Sequence, residues 1–173
     1  AKKNKPIIIS TGMSKISEID DAIETVRSTG NRNLAVLHCN SSYPSTHSEV
    51  NLKFMNNLKS LYNIPVGFSD HTTDLLASKS AITLGADIIE RHFTLSKRME
   101  GPDHMLSSDQ KEIADLVKFK KFYNKFNIWF EKRKRKEKEQ IKLILGDGVK
   151  KIQPNEYLTI NSQKKSLYAK RNI

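Results

Sequence analysis

Cysteine occurs once in these 173 residues, at Cys39. A lone thiol excludes an intramolecular disulfide framework and predicts a chain that lives in a reducing cytoplasm. Long apolar runs are missing as well. No stretch approaches the roughly 18 consecutive apolar residues that a membrane-spanning helix needs. The opening Ala1-Lys-Lys-Asn-Lys leads into only a four-residue apolar run, which predicts no secretory signal. Excess basic charge is absent from the first two thirds of the chain. Residues 1–117 hold 13 Lys/Arg against 14 Asp/Glu, whereas residues 118–173 hold 17 against 5. The formal charge of +11 therefore belongs to the tail. A nucleic-acid role argued from charge would rest on that tail alone, and no base-stacking platform or binding motif accompanies it. With 37% hydrophobic and 28% charged residues, the chain reads as globular and long enough for one domain with a sizeable core.

What is present in residues 1–117 is a rhythm. Short β-branched or apolar runs begin near residues 7, 34, 65 and 87. Between them lie stretches with helical patterning. Ser17, followed by Glu18, Asp20 and Asp21, reads as an N-cap with an acidic first turn for a helix through about Ser28. Residues 48–62 read as a second helix with Val50, Phe54, Leu58 and Leu61 on one face. Residues 74–84 read as a third, stopped by Gly85. Four β-then-α units at this spacing argue for a parallel sheet. The loops that follow strands are rich in Ser, Thr and His; those that return from helices are short and plain. That asymmetry is the pattern of a (β/α) barrel, whose chemistry gathers at the C-terminal ends of its strands. A full barrel needs eight units and about 250 residues. The fold expected is therefore α/β: four βα units, half of a TIM barrel, plus a basic helical extension.

Residues 108–145 change character. Asp109 can cap a helix beginning near Gln110. Phe119, Phe122, Tyr123, Phe126, Trp129 and Phe130 then recur near helical spacing, and Lys132-Arg-Lys-Arg-Lys follows. The expectation is one long helix that packs its aromatic stripe on the sheet and leaves a solvated basic end. A membrane-surface helix, a partner-docking helix and a nucleic-acid arm are the sharper readings of the same stretch. Residues 146–173 read as an extended basic tail.

The chemistry concentrates between Gly67 and His104. His71 and His92 each sit just past a strand-like run, with a helix-like segment between them. Neighbouring parallel strands end at one edge of the sheet, so the two imidazoles are expected to converge there. Imidazole nitrogens suit a divalent first-row metal, and nearby carboxylates can complete or orient the shell. Ser69, Asp70, Glu90, Arg91 and Asp103 crowd the same loop starts. Glu90 shares a strand face with His92. A plain core does not need that density of charge, because unpaired buried charge costs several kcal/mol. His38 and Cys39 are expected to serve packing.

Five motifs stand in order: I-S-T-G-M-S at residues 9–14, L-H-C-N-S-S-Y-P at 37–44, V-G-F-S-D-H-T at 66–72, I-E-R-H-F-T at 89–94 and E-G-P-D-H at 100–104. L-G-D-G-V-K-K follows at 145–151. Together they closely resemble the N-acetylneuraminate (sialic acid) synthase family, over residues 5–117 well and 141–173 loosely. The resemblance corresponds to the second half of that family's catalytic barrel. It implies a condensation of phosphoenolpyruvate with the open-chain aldehyde of N-acetylmannosamine or a related 2-acetamido sugar, with release of phosphate and formation of a nonulosonic acid. Legionaminic and pseudaminic acid synthases share the motifs. The family uses Mn²⁺ or Mg²⁺, and His71 and His92 match its metal ligands.

By the same resemblance Glu90 is the acid/base or water-positioning group, and His71 and His92 complete the catalytic set. Ser10, Ser41 and Ser69 match groups that hold the phosphoenolpyruvate oxyanions; Tyr43 and Asp103 match contacts to the amino sugar. Asp70 is expected to orient an imidazole, and His104 is an additional candidate. The family's first four βα units, with their lysines, and its C-terminal antifreeze-like domain have no counterpart in this sequence; Lys97 and Arg98 are the nearest basic residues. A four-stranded half-barrel exposes two sheet edges, so a homodimer or a complementary half-barrel chain is the expected partner. The alternative is a non-catalytic half-barrel that serves as an interaction module.

Overall fold

The computed structural model describes residues 1–123, 126–158 and 160 of the chain. Four strands form one parallel sheet in sequence order: β1 (Ile7–Ser10), β2 (Leu34–Cys39), β3 (Val66–Asp70) and β4 (Ile89–Arg91). Each crossover carries a helix: α1 (Ile16–Arg27), α2 (Lys53–Tyr62) and α3 (Leu76–Thr83). This is the expected half-barrel of four βα units. Among the described residues β1 and β4 each have a single strand neighbour.

Strand alternation sends side chains to two different places. Leu34, Val36, Val66 and Phe68 point to the helices and join Ile19, Ile23, Phe54, Met55, Leu58, Ala77 and Ala81 in one core. Burying each large aliphatic or aromatic side chain there stabilises the fold by about 1.5–3 kcal/mol. The alternate residues Ile8, Ser10, Leu37, Cys39, Gly67, Ser69 and Glu90 share the opposite face through the register pairs Ser10 with Leu37, Leu37 with Gly67, Cys39 with Ser69 and Ser69 with Glu90. Gly67 has no room for a side chain on that face. A Cβ there would stand 2.5 Å from the Ile88 carbonyl oxygen and 2.6 Å from Leu37 Cδ2. On the same face Ile8 is 56% exposed, an apolar surface at an unpaired sheet edge.

The structure corrects several expectations. α1 starts at Ile16 with Lys15 as its N-cap, not Ser17; the Glu18 carboxylate reaches back to accept from the Lys15 backbone N–H at 2.7 Å. The stretch 48–62 is not one helix. A 3₁₀ turn (His47–Glu49) precedes Asn51, which adopts φ 53°, and α2 begins only at Lys53. Asn51 tolerates the left-handed region because its side chain accepts from the Gly148 N–H at 2.8 Å and donates to the Val149 carbonyl at 2.9 Å. Leu61 leaves the predicted apolar face and is exposed. α3 is shorter than expected at both ends.

The long aromatic helix is in fact three: α4 (Gln110–Phe122), α5 (Phe126–Glu131) and α6 (Arg135–Leu145). Asp109 caps α4 as expected, accepting from the Glu112 N–H at 2.8 Å while Glu112 accepts from the Asp109 N–H at 3.1 Å. The chain leaves α4 at Tyr123 in an extended conformation. It turns again at Lys134, inside a run of like charges whose repulsion along one helix face disfavours continuation. The aromatic stripe packs on α3 rather than on the sheet, because α4, α5 and α6 all contact that helix. Trp129 is buried while Phe122 is exposed. Residues 146–158 do not trail away either. They cross the strand ends and close in a 3₁₀ turn (Pro154–Leu158). The expectation for 159 and 161–173 lies outside the described residues. Among the described residues no helix is long and apolar enough to cross a membrane.

Candidate active site

His71 and His92 stand one residue beyond β3 and β4, and their ring centroids are 5.3 Å apart with planes at 87°. The cause is register. Asp70 pairs with Arg91 at the last position of each strand, so the next residues emerge side by side. Tyr43, from the loop after β2, lays its ring 4.1 Å over His71 and 5.6 Å from His92. Met13, Tyr43, His92 and Asp103 line an open cavity of about 570 Å³ at this edge.

The polar contacts decide what the imidazoles can do. His71 is buried, and its Nδ1 lies 2.6 Å from the Asn40 carbonyl oxygen. A carbonyl can only accept, so Nδ1 carries the proton and Nε2 keeps its lone pair. Nε2 sits 3.5 Å from Ser69 Oγ. Burial pushes the His71 pKa down, the Asn40 bond opposes that, and the neighbouring His92 adds to it. The ring is thus held neutral, the form that binds a metal. His92 Nδ1 stands 3.5 Å from Asp103 Oδ2. The Ser69 hydroxyl donates to Glu90 Oε1 at 2.7 Å, which places the carboxylate beside the histidine pair on the inner face. Burial, followed by nearby acidic groups that include Asp103 and Glu90, pushes the Tyr43 phenol up to about 12, so it stays protonated.

Among the described residues no group of three or more His, Cys, Asp or Glu side chains is arranged to hold a metal ion. The donor set is two imidazoles, of which His71 offers a free Nε2 lone pair. That fits a divalent ion whose remaining positions are left to oxygen donors from substrate or water.

The other predicted residues spread out. Ser10 ends β1 on the inner face and is exposed. The Ser41 backbone N–H donates to Glu156 Oε1 at 2.7 Å. Among the described residues no hydrogen bond links Ser10 or the Ser41 hydroxyl to the histidine pair. Cys39 is buried, which raises its thiol to about 11, with the hydroxyls of Ser69 and Ser41 pulling partly back. His38 turns to the helix side of the sheet, bonds the Val50 carbonyl at 2.6 Å and packs against Phe54 and Phe68. His104 bonds Thr94 Oγ1 at 2.8 Å within its own loop.

Asp70 does not orient an imidazole. Alternation turns it to the helix side, where it pairs with Arg91 and accepts from Thr72 through both N–H (2.9 Å) and Oγ1 (2.8 Å). Both side chains of that ion pair are almost fully buried. Arg91 also donates to Ser108 Oγ at 2.7 Å and to the Thr72 carbonyl at 2.9 Å. The Asn40 carbonyl does the orienting instead. Sequence reasoning assigned no role to Asn40, Met13 or Glu156. Arg91 was flagged only as charge, and a backbone carbonyl leaves no signal in a sequence.

The chain is similar over its whole length to an uncharacterised protein of Methanocaldococcus jannaschii, at 44% identity across 46% of that protein. It is 40% identical over 175 residues to N,N'-diacetyllegionaminic acid synthase of Campylobacter jejuni, covering all of this chain and 47% of that one. The chain thus spans about half the length of these relatives. Among solved structures, the spore coat polysaccharide biosynthesis protein spsE of Bacillus subtilis superposes with a TM-score of 0.75 at 28% identity, over 92% of this chain and 44% of that one. The NeuB family pattern matches residues 1–127. Sequence, fold and relatives agree: the chain belongs to the NeuB family of sialic acid synthases.

Proposed function

We propose that this chain supplies the histidine-bearing half of a nonulosonic acid synthase barrel, condensing phosphoenolpyruvate with N-acetylmannosamine or a related 2-acetamido sugar. The observation that carries the reading is the pair of imidazoles 5.3 Å apart, one with a free Nε2, beside Glu90 at the C-terminal edge of a parallel sheet. In the reaction, C3 of phosphoenolpyruvate attacks the sugar aldehyde, water adds at C2, and phosphate departs as the keto acid forms. Mn²⁺ or Mg²⁺ held by His71 and His92 would supply Lewis-acid polarisation of the aldehyde oxygen. Glu90, fixed by Ser69, holds or takes a proton from the attacking water. Ser10 and Ser41 offer hydroxyls to the phosphoenolpyruvate oxyanions, whereas the Ser69 proton is committed to Glu90. Tyr43 and Asp103 flank the cavity mouth where the amino sugar binds. The reaction belongs to the cytoplasm, in keeping with the single buried thiol.

Among the described residues β1 and β4 leave open sheet edges and Ile8 is exposed, so the barrel closes on further βα units, whether in the same polypeptide, in a complementary chain or in a second copy. The test is reconstitution. This chain, mixed with one bearing the first four βα units, phosphoenolpyruvate, N-acetylmannosamine and Mn²⁺, releases inorganic phosphate. No release from two folded chains sinks the catalytic reading and leaves a non-catalytic interaction module. A diacetamido sugar is the second substrate to try, because the legionaminic acid synthase relative matches the whole of this chain; a pseudaminic-type sugar completes the panel.

A further inference from the structure

Outside the histidine cluster, Glu156 carries a carboxylate that is buried at the strand ends. Its side chain belongs to the 3₁₀ turn (Pro154–Leu158), far along the chain from β1 and β2, and the residue is 1% exposed. Three backbone N–H groups donate to its carboxylate: Met13 at 3.1 Å and Ser41 at 2.7 Å to Oε1, and Gln153 at 2.8 Å to Oε2. Met13 lies in the loop after β1, Ser41 in the loop after β2. A single oxygen therefore joins the loops that follow two adjacent strands. Charge-assisted bonds of this kind are among the stronger ones in proteins.

The joint lies against the site. Met13 is itself a wall of the cavity that Tyr43, His92 and Asp103 line. Ser41 is one residue from Asn40, whose carbonyl orients His71, and two from Tyr43, whose ring covers it. The two loops are closely packed: a Cβ on Gly12 would fall 1.9 Å from Ser41 Oγ and displace that hydroxyl. The segment leading to Glu156 is tied down in parallel, since Lys150 Nζ donates to the Thr11 carbonyl at 2.7 Å and Asn57 donates to the Gly148 carbonyl at 2.8 Å.

We propose that Glu156 is a positioning residue of the site: through the Met13 and Ser41 amides it sets the spacing of the β1 and β2 loops, and so the place of Ser41 and the cover over His71. The inference rests on the synthase reading for the identity of the ligand, phosphoenolpyruvate, but not for the joint itself. Glu156 touches no reacting atom.

The experiment pairs amide hydrogen exchange on this chain with phosphoenolpyruvate binding by the barrel reconstituted with the first four βα units. In E156A, exchange at Met13 and Ser41 rises at least tenfold while that of Val66 and Phe68 in β3 is unchanged. In E156Q the retained Oε1 still accepts from both amides, so Met13 and Ser41 stay within about threefold of wild type, and Gln153 alone loses protection. The dissociation constant for phosphoenolpyruvate follows the same order, tenfold or more weaker in E156A and within about threefold in E156Q. A purely structural role would move the denaturation midpoint without this split. Should E156A not fold, the Gln153-only signature of E156Q decides. Unchanged Ser41 exchange in E156A, or equal loss at all three amides in E156Q, overturns the assignment. If the reconstituted wild-type barrel binds no phosphoenolpyruvate while exchange responds as stated, the synthase reading fails and the joint stands.

Discussion

Two of the ring clusters among the described residues differ in what surrounds them. At the strand ends, Tyr43, His71 and His92 gather beside Glu90 and Asp103, with an open cavity and a free imidazole nitrogen. In the extension, Phe119 stacks on Tyr123 and meets Trp129 edge-on, Phe126 stacks on Phe130, and Arg133 and Lys138 cover Trp129 and Phe130. The second cluster presents no imidazole and is covered by cations. Its cations lie over its own rings, and its anchor, Trp129, is fully buried against the three-helix pack on α3. Aromatic density alone does not distinguish a site from a core. Two imidazoles held together beside a carboxylate, one of them with an unprotonated nitrogen, do.

The largest expected effect tests the second cluster. Trp129→Ala costs about 3–5 kcal/mol of stability in urea denaturation, while Mn²⁺ affinity stays unchanged. A fall in Mn²⁺ affinity would show that the two clusters are one.

A comparison of two histidines comes next. His38 is buried, its Nε2 is committed to the Val50 carbonyl, and its Nδ1 finds no partner among the described residues. Burial, then the Lys150 charge, pushes its pKa from 6.5 to about 4. The folded form therefore resists protonation that the unfolded chain accepts. The contribution is complete above pH 6.5 and is lost as pH falls toward 4, worth about 3 kcal/mol at the low end. His38→Gln flattens this part of the stability-against-pH curve. An unchanged slope would mean that His38 is not the group that titrates.

His71→Ala is the reverse case. It costs the fold little and weakens Mn²⁺ binding, measured by calorimetry, by at least about 100-fold, beyond the roughly 10–100-fold that follows loss of an orienting bond to a ligand. Equal Mn²⁺ affinity in this variant would remove the metal reading. The smallest effect is expected at the basic face. Lys138→Gln breaks a pair with Glu131 at 2.8 Å, yet the Glu131 carboxylate is largely solvated, so stability moves by less than about 0.5 kcal/mol. A larger loss would make the Lys138–Phe130 stack part of the extension's core.

The βα rhythm was legible because period and punctuation are local. Runs of β-branched residues, acidic first turns and Gly85 mark each unit without knowledge of the rest. The breaks at Asn51 and Lys134 were not. Asn51 holds its left-handed turn through Gly148 and Val149, nearly a hundred residues away. Arg91 was visible as a charge, but its buried pairing with Asp70 required knowing which face each strand end presents.

By itself the sequence determined the four parallel units, the ordered motifs and the residue types that gather after the strands, since each follows from local pattern and chemistry. Tertiary structure alone decided which histidine keeps a free nitrogen, which carboxylate faces the helices, and how Glu156 joins two distant loops. Those outcomes depend on strand register and on backbone carbonyls and amides, which every residue carries and no sequence distinguishes.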